Sequence, residues 1–363
     1  MRSSTAYRTS SPTFIPDRNI SESHEAALAF IRTAVRAAVD GRAGTVASRV
    51  AFDPSFAATF ASSETREQLR RRLGVDLGYD AGDDLAAAIC GLPLLPGDAD
   101  DLVGEFARMA GAGRAGWRFR VFRAWNGFPA DTSCTAVAGH ALYERNLISP
   151  DGLMGIAREL LLTAVPAGPR PGVVAVYWDD DAPPGALRRG RTHDPVACAN
   201  ALCVLMETRR LGLRDADEAI EAGLRYVGGH LLSRDYLRGS RYHPAPEAFL
   251  YAVSRLVKRF PSCREPLAEP LAEAILARDD DRGNALNVAL RTLAAHNTGL
   301  FGGRPERLRK LLDTQEPDGS WPALPYFKLG RFPVYFGSRV LSTLFAAAAI
   351  RVTATDGTGH DHS

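Results

Sequence analysis

Apolar residues at helical spacing recur along this chain in segments that begin near residues 195, 215, 245, 266, 284, 304 and 337, about every 20 to 30 residues. Paired helices therefore return roughly every 40 to 50 residues, the period of helical hairpins stacked side by side. The segments span 195–210, 215–232, 245–259, 266–278, 284–296, 304–314 and 337–351, and earlier ones span 25–39, 83–91, 98–112, 134–145 and 151–165. In 25–39 the residues Ala27, Leu28, Phe30, Ile31, Val35 and Val39 fall close to one stripe, as an amphipathic helix requires. Strand character is confined to 173–178. The expectation is an all-α chain with little or no sheet.

Stacked hairpins either stay open as a solenoid or close into a ring. A ring crowds its inner helices and calls for small residues there. The runs Ala86–Ala88 and Ala346–Ala349 suit it, whereas the repeated consensus positions of a solenoid are missing. An α/α barrel (toroid) is expected, as one domain over 23–352. The Ser-, Thr-, Arg- and Pro-rich residues 1–22 and the tail 353–363 are expected to be disordered.

Charge narrows the function. Lys and Arg number 44 against 42 Asp and Glu, a net +2, which leaves no basic surface for nucleic acid. No run of about 18 apolar residues predicts a membrane span, and the polar first residues lack the apolar core of a signal peptide. Peripheral membrane contact stays open. The five cysteines never form CxxC, so neither a disulfide framework nor a zinc knot is expected and a reducing cytoplasm is.

The most specific segment is Gln315-Glu316-Pro317-Asp318-Gly319-Ser320-Trp321, a Q-x-x-x-G-x-W pattern between two predicted helices. Gly319 permits a tight turn, Trp321 can cover a helix end, and the Gln315 amide can bond the backbone groups left free there. That reading is structural. The segment resembles the QW motif of squalene and oxidosqualene cyclases and of the wider terpene-cyclase and prenyltransferase α/α-barrel superfamily. Only the C-terminal half matches, since Lys310 holds the upstream aromatic's place.

A second segment, Asp131-Thr132-Ser133-Cys134-Thr135-Ala136, is similar to the D-x-D-D-T-A motif of class II terpene cyclases and to the D-C-T-A form of oxidosqualene cyclases. In that register Asp131 matches the first Asp, and Ser133 stands where the family's acid stands. The resemblance, over roughly 115–350, implies an isoprenoid substrate cyclised through a carbocation. Such chemistry needs a carboxyl kept neutral by burial and walls of aromatic rings. Asp131 then becomes the acid or its partner if the loop is shifted by two residues, with Ser133 and Cys134 bonding around it. Taken by itself, Asp131 equally reads as the N-cap of a helix starting near Cys134.

The segment His193-Asp194-Pro195 opens another helix, with Pro at its first turn and Asn200 among apolar neighbours. Aromatics gather near predicted helix starts. Trp125, Phe128, Trp178, Tyr242, Phe249, Tyr335 and Phe336 are the candidate cavity wall, joined by Asp194 and Asn200 as polar contacts; each ring alone also fits plain core. The runs Asp179–Asp181 and Asp279–Asp281 do not make D-D-x-x-D, and Arg188, Arg189 and Arg191 offer forks for a diphosphate. No resident metal or cofactor is expected; a diphosphate substrate would bring Mg²⁺ with it. The second reading is a non-catalytic barrel that binds an isoprenoid or a protein, the acid having been lost at Ser133. A third is a glycoside-active barrel using paired carboxylates.

Overall fold

A computed structural model describes residues 19–40, 46–76, 85–122, 128–178, 189–278, 283–300 and 305–358. Among them lie thirteen α-helices: α1 (Ile20–Asp40), α2 (Thr65–Leu73), α3 (Ala86–Gly91), α4 (Asp100–Gly111), α5 (Thr132–Glu144), α6 (Pro150–Leu161), α7 (Pro195–Arg210), α8 (Asp217–Leu232), α9 (Pro246–Arg259), α10 (Arg264–Leu276), α11 (Ala285–Asn297), α12 (Pro305–Asp313) and α13 (Arg339–Thr358). Short strands accompany them: β1 (Arg49–Ala51), β2 (Phe60–Ala61), β3 (Arg114–Ala115), β4 (Arg118–Phe119), β5 (Pro325–Lys328) and β6 (Tyr335–Gly337).

The packing order is a closed ring. α3 packs on α5, α5 on α7, α7 on α9, α9 on α11, α11 on α13, and α13 returns to α3. An outer layer of α4, α6, α8, α10, α12 and α1 covers the joints, with α1 lying against α13 and α4. Burial separates the two layers. Every residue of α7 from Pro195 to Thr208 is buried, as an inner helix wrapped on all sides must be. Outer α1 buries only Ser23, Ala27, Ile31, Val35 and Ala38, one stripe. The ring is the expected α/α barrel, and the alanines of α13 sit inside it as anticipated.

The sequence reading is corrected in places. The strand expected at 173–178 forms no ladder: its one bridge is Tyr177 to Asp131. The run is buried against the start of α5, where the Thr132 N–H and hydroxyl donate to the Val176 and Ala175 carbonyls, both at 2.9 Å. Those bonds and burial replace a partner strand. α2 went unforeseen because its Arg-rich sequence buries only Thr65 and Leu69. The four-stranded antiparallel sheet, in order β2-β1-β6-β5, is built from pieces of two to four residues, too short for a period of two to register. α1 already begins at Ile20, and α13 continues to Thr358, past the expected boundary at 353. Residues 1–18 and 359–363 of the ends expected to be disordered lie outside the described residues, as do both Asp runs.

Candidate active site

Inner helices that alternate with outer ones all run the same way, so their N-terminal ends meet at one mouth of the ring. Ala86 at the start of α3, Asp131 and Asp194 before α5 and α7, and His243 before α9 line one cavity. It holds about 700 Å³ of empty space counting its open mouth. Phe122, Phe128, Tyr177, Tyr242, Tyr326 and Phe327 supply aromatic wall. Phe128 meets Phe122 edge-on at 4.8 Å and Tyr177 at 6.1 Å, and Tyr177 meets Tyr242 at 6.0 Å. A deeper space continues the cavity, sharing Cys90, Ser133, Cys134, His243 and Tyr326 with it and adding Asn200, Tyr251 and Arg255.

Asp131 is held from both sides. Its N–H donates to the Phe119 carbonyl at 3.2 Å and its backbone bridges to Tyr177. Its carboxylate caps α5, Oδ1 accepting the Cys134 N–H at 2.7 Å. The side chain is nonetheless 93 % removed from solvent, with a relative exposure of 7 %. Burial dominates its titration and lifts its pKa to about 6; hydrogen bonds from the Cys134 amide and thiol, the Ser133 amide and the Arg189 charge offset only part of that. The carboxyl that caps α5 is thus the same one that burial makes harder to ionise.

Around it a polar thread runs inward. Asn200 Nδ2 donates to Ser133 Oγ at 3.1 Å, and Arg255 Nη1 donates to Asn200 Oδ1 at 3.4 Å. Asp194 is buried and caps α7, Oδ1 accepting from the Val196 and Ala197 amides at 3.0 and 3.2 Å. Arg189 lies over the Phe128 ring at 4.3 Å and over Tyr177 at 5.3 Å, a cationic rim on the aromatic wall. Lys328 also lines the cavity.

Of the expected site residues, the cavity gathers Asp131, Ser133, Cys134, Phe128, Asp194, Asn200 and Tyr242. Four others lie elsewhere. Trp178 turns toward α6, its Nε1 donating to the Glu159 carbonyl at 2.9 Å. Phe249 packs outward on His230 and Tyr236. Phe336 is a layer behind the wall, stacked on Phe327 at 4.8 Å, and Tyr335 pairs with Ala51 and Lys328 in the sheet. Each is an aromatic near an element start, and proximity in sequence could not say which face it took. Trp125 lies outside the described residues. Phe122, Cys90 and Lys328 were missed and carry no sequence signal. Arg255 carried one: a charge four residues after Tyr251, following an unbroken buried run from Glu247 to Ser254.

The Q-x-x-x-G-x-W segment lies apart from the cavity and ties the ring shut. Gln315 accepts from Ser23 Oγ at 2.6 Å and donates to the Ser23 and Gly319 carbonyls at 2.9 and 3.0 Å, joining α1 to the α12–α13 turn. Gly319 has φ +87°, and a Cβ there would stand 2.3 Å from the Ala26 carbonyl oxygen. Trp321 is fully buried, its Nε1 donating to the Leu311 carbonyl at 2.9 Å.

No protein-family model matches the chain. The solved structure of the type II terpene cyclase MstE from Scytonema superposes with a TM-score of 0.61 at 13 % identity, covering 93 % of this chain and 98 % of that one. The chain shares the α/α-barrel fold of that cyclase. This barrel also matches ent-copalyl diphosphate synthase from Streptomyces platensis, with a TM-score of 0.52 at 17 % identity over 79 % of this chain and 54 % of that one. A curated relative, the drimenol cyclase drtB of Aspergillus calidoustus, is 28 % identical over 225 residues, 61 % of this chain. The barrel spans about 38 % of that relative's length. Among the described residues no helix is long and apolar enough to cross a membrane.

Proposed function

We propose that this barrel is a class II terpene cyclase in which Asp131 protonates the terminal alkene of an isoprenoid. The observation that carries this is one carboxyl, capped and buried in an aromatic wall, whose pKa of about 6 keeps roughly a tenth of it protonated at pH 7, far more than an ordinary carboxyl. The carboxyl O–H bond breaks, its proton adds to one alkene carbon, and the other becomes a tertiary cation. Internal π bonds of the substrate then close rings in turn. The faces of Phe122, Phe128, Tyr177, Tyr242 and Phe327 shield that charge from water. Ser133 holds Asn200 rather than a proton for the substrate, so the acid lies two residues earlier than the family register suggests.

The relatives support the substrate class. MstE has been solved with geranylgeranyl dihydroxybenzoate as substrate and with merosterolic acid A as product. An anionic head, diphosphate included, would meet Lys328 and Arg189 at the cavity rim. A diphosphate substrate would bring Mg²⁺ with it. The test is incubation of the purified protein with farnesyl and geranylgeranyl diphosphate, with and without Mg²⁺, and with a geranylgeranylated hydroxybenzoate. Cyclic products from the wild type and none from Asp131→Asn support the reading. Binding without conversion returns the barrel to a non-catalytic role.

A further inference from the structure

Protonation by Asp131 leaves a second polar pair in the chamber unused. Asp194 spends Oδ1 on its helix cap, while its Oδ2 is buried and meets no hydrogen-bond donor. His243 faces it: Nδ1 lies 3.9 Å from Asp194 Oδ1, and it too is buried without a partner. Two buried unpaired polar atoms side by side are costly unless they serve something. The loop around His243 is fixed, its N–H donating to Ser240 Oγ at 3.0 Å and its carbonyl accepting the Ser240 N–H at 2.7 Å. Tyr326 packs edge-on against the ring at 5.5 Å. The imidazole lines both the outer cavity and its deeper extension, and it is the one imidazole among their described lining residues. Burial holds it below the ordinary histidine pKa, with Asp194 pulling the other way, so it is neutral at pH 7 and can accept a proton.

We infer that His243 is the proton acceptor that ends the cyclisation, with the buried Asp194 carboxylate, 3.9 Å from its Nδ1, as the neighbouring charge that favours the imidazolium formed. The inference rests on the cyclase reading above. The C–H bond beside the last cationic carbon breaks and its electron pair becomes a C=C bond. The proton passes to His243 Nε2. The substrate gained one proton from Asp131 and loses one here, so the overall change is an isomerisation; the imidazolium and the Asp131 carboxylate re-equilibrate through solvent after product leaves.

The experiment uses farnesyl and geranylgeranyl diphosphate as probes, with products identified by mass spectrometry after dephosphorylation. Wild type, His243→Ala, His243→Gln, Asp194→Asn and Asp131→Asn are compared after thermal melts establish that each is folded. The expected result is a fall of about fivefold or more in the share of the main olefin for both His243 variants, replaced by double-bond isomers and alcohols of the same skeleton. Asp194→Asn, which keeps the oxygen that caps α7, moves the ratio the same way by about twofold with KM unchanged. Wild-type product ratios from folded His243 variants overturn the assignment, as does a wild-type product bearing a solvent hydroxyl in place of the double bond. If neither His243 variant folds, an unchanged ratio from Asp194→Asn overturns it. Absence of cyclic product from the wild type, or full activity of Asp131→Asn, instead defeats the cyclase reading itself.

Discussion

The corner around Trp321 and the chamber around Asp131 both set polar side chains against apolar ones, yet they behave oppositely. At the corner Gln315 makes three hydrogen bonds, to Ser23 and Gly319, Ser320 and Arg339 share Asp318, and the indole N–H has its carbonyl. In the chamber Asp131 is pushed up in pKa, and Asp194 Oδ2 and His243 Nδ1 are left without partners. Satisfied polar groups lock the ring; the unsatisfied ones in the chamber are those the proposed chemistry uses. The same contrast tells which sequence motif carries structure and which carries chemistry.

Substitutions should separate the two regions. Asp131→Asn gives the largest effect on turnover, a loss of about 10²–10⁴-fold, the usual contribution of a general acid, in steady-state assays of the folded variant. Trp321→Ala acts on the other side: a loss of roughly 3–5 kcal/mol in denaturant melts, with turnover per folded molecule kept at low temperature. If the tryptophan variant folds normally but loses activity, the division fails.

The Asp131→Asn variant sharpens the contrast further through pH. Folded Asp131 keeps its proton up to about 6, whereas an unfolded carboxyl releases it near 3.8. The folded state therefore binds the extra proton between those values, and stability falls as pH rises through them, the ionised buried group costing about 3 kcal/mol above 6. Asn retains a capping oxygen and removes that charge. It is expected to stabilise the protein by up to about 3 kcal/mol at pH 8 and hardly at all at pH 4, an inactive variant more stable than its parent. Gly319→Ala is the smallest of the set, costing about 2 kcal/mol through its positive φ and the Ala26 carbonyl, without altering the product.

Periodicity made the ring legible because twelve of the thirteen helices bury enough apolar surface to mark a 3.6-residue stripe or an unbroken apolar run. The sheet and α2 escaped because pieces of two to four residues, or a helix anchored by Thr65 and Leu69, leave no such mark. In the site, Asp131, Asp194 and Tyr242 were readable because helix starts converge at the mouth of a barrel. Trp178, Phe249 and Phe336 were not, since a ring near a helix start can face inward or outward and only packing decides. Acid placement was legible only in part. The motif register puts the family's acid at Ser133, and the sequence reading already shifted the proposal to Asp131; its burial, which a one-dimensional pattern does not encode, supports that shift.

The central claim is the protonated carboxyl in the chamber wall. Infrared difference spectra of wild type against Asp131→Asn, recorded from pH 3 to 8, isolate that one group. The account predicts a protonated-carboxyl band that disappears with a midpoint near 6. A midpoint near the ordinary 3.8 would contradict it.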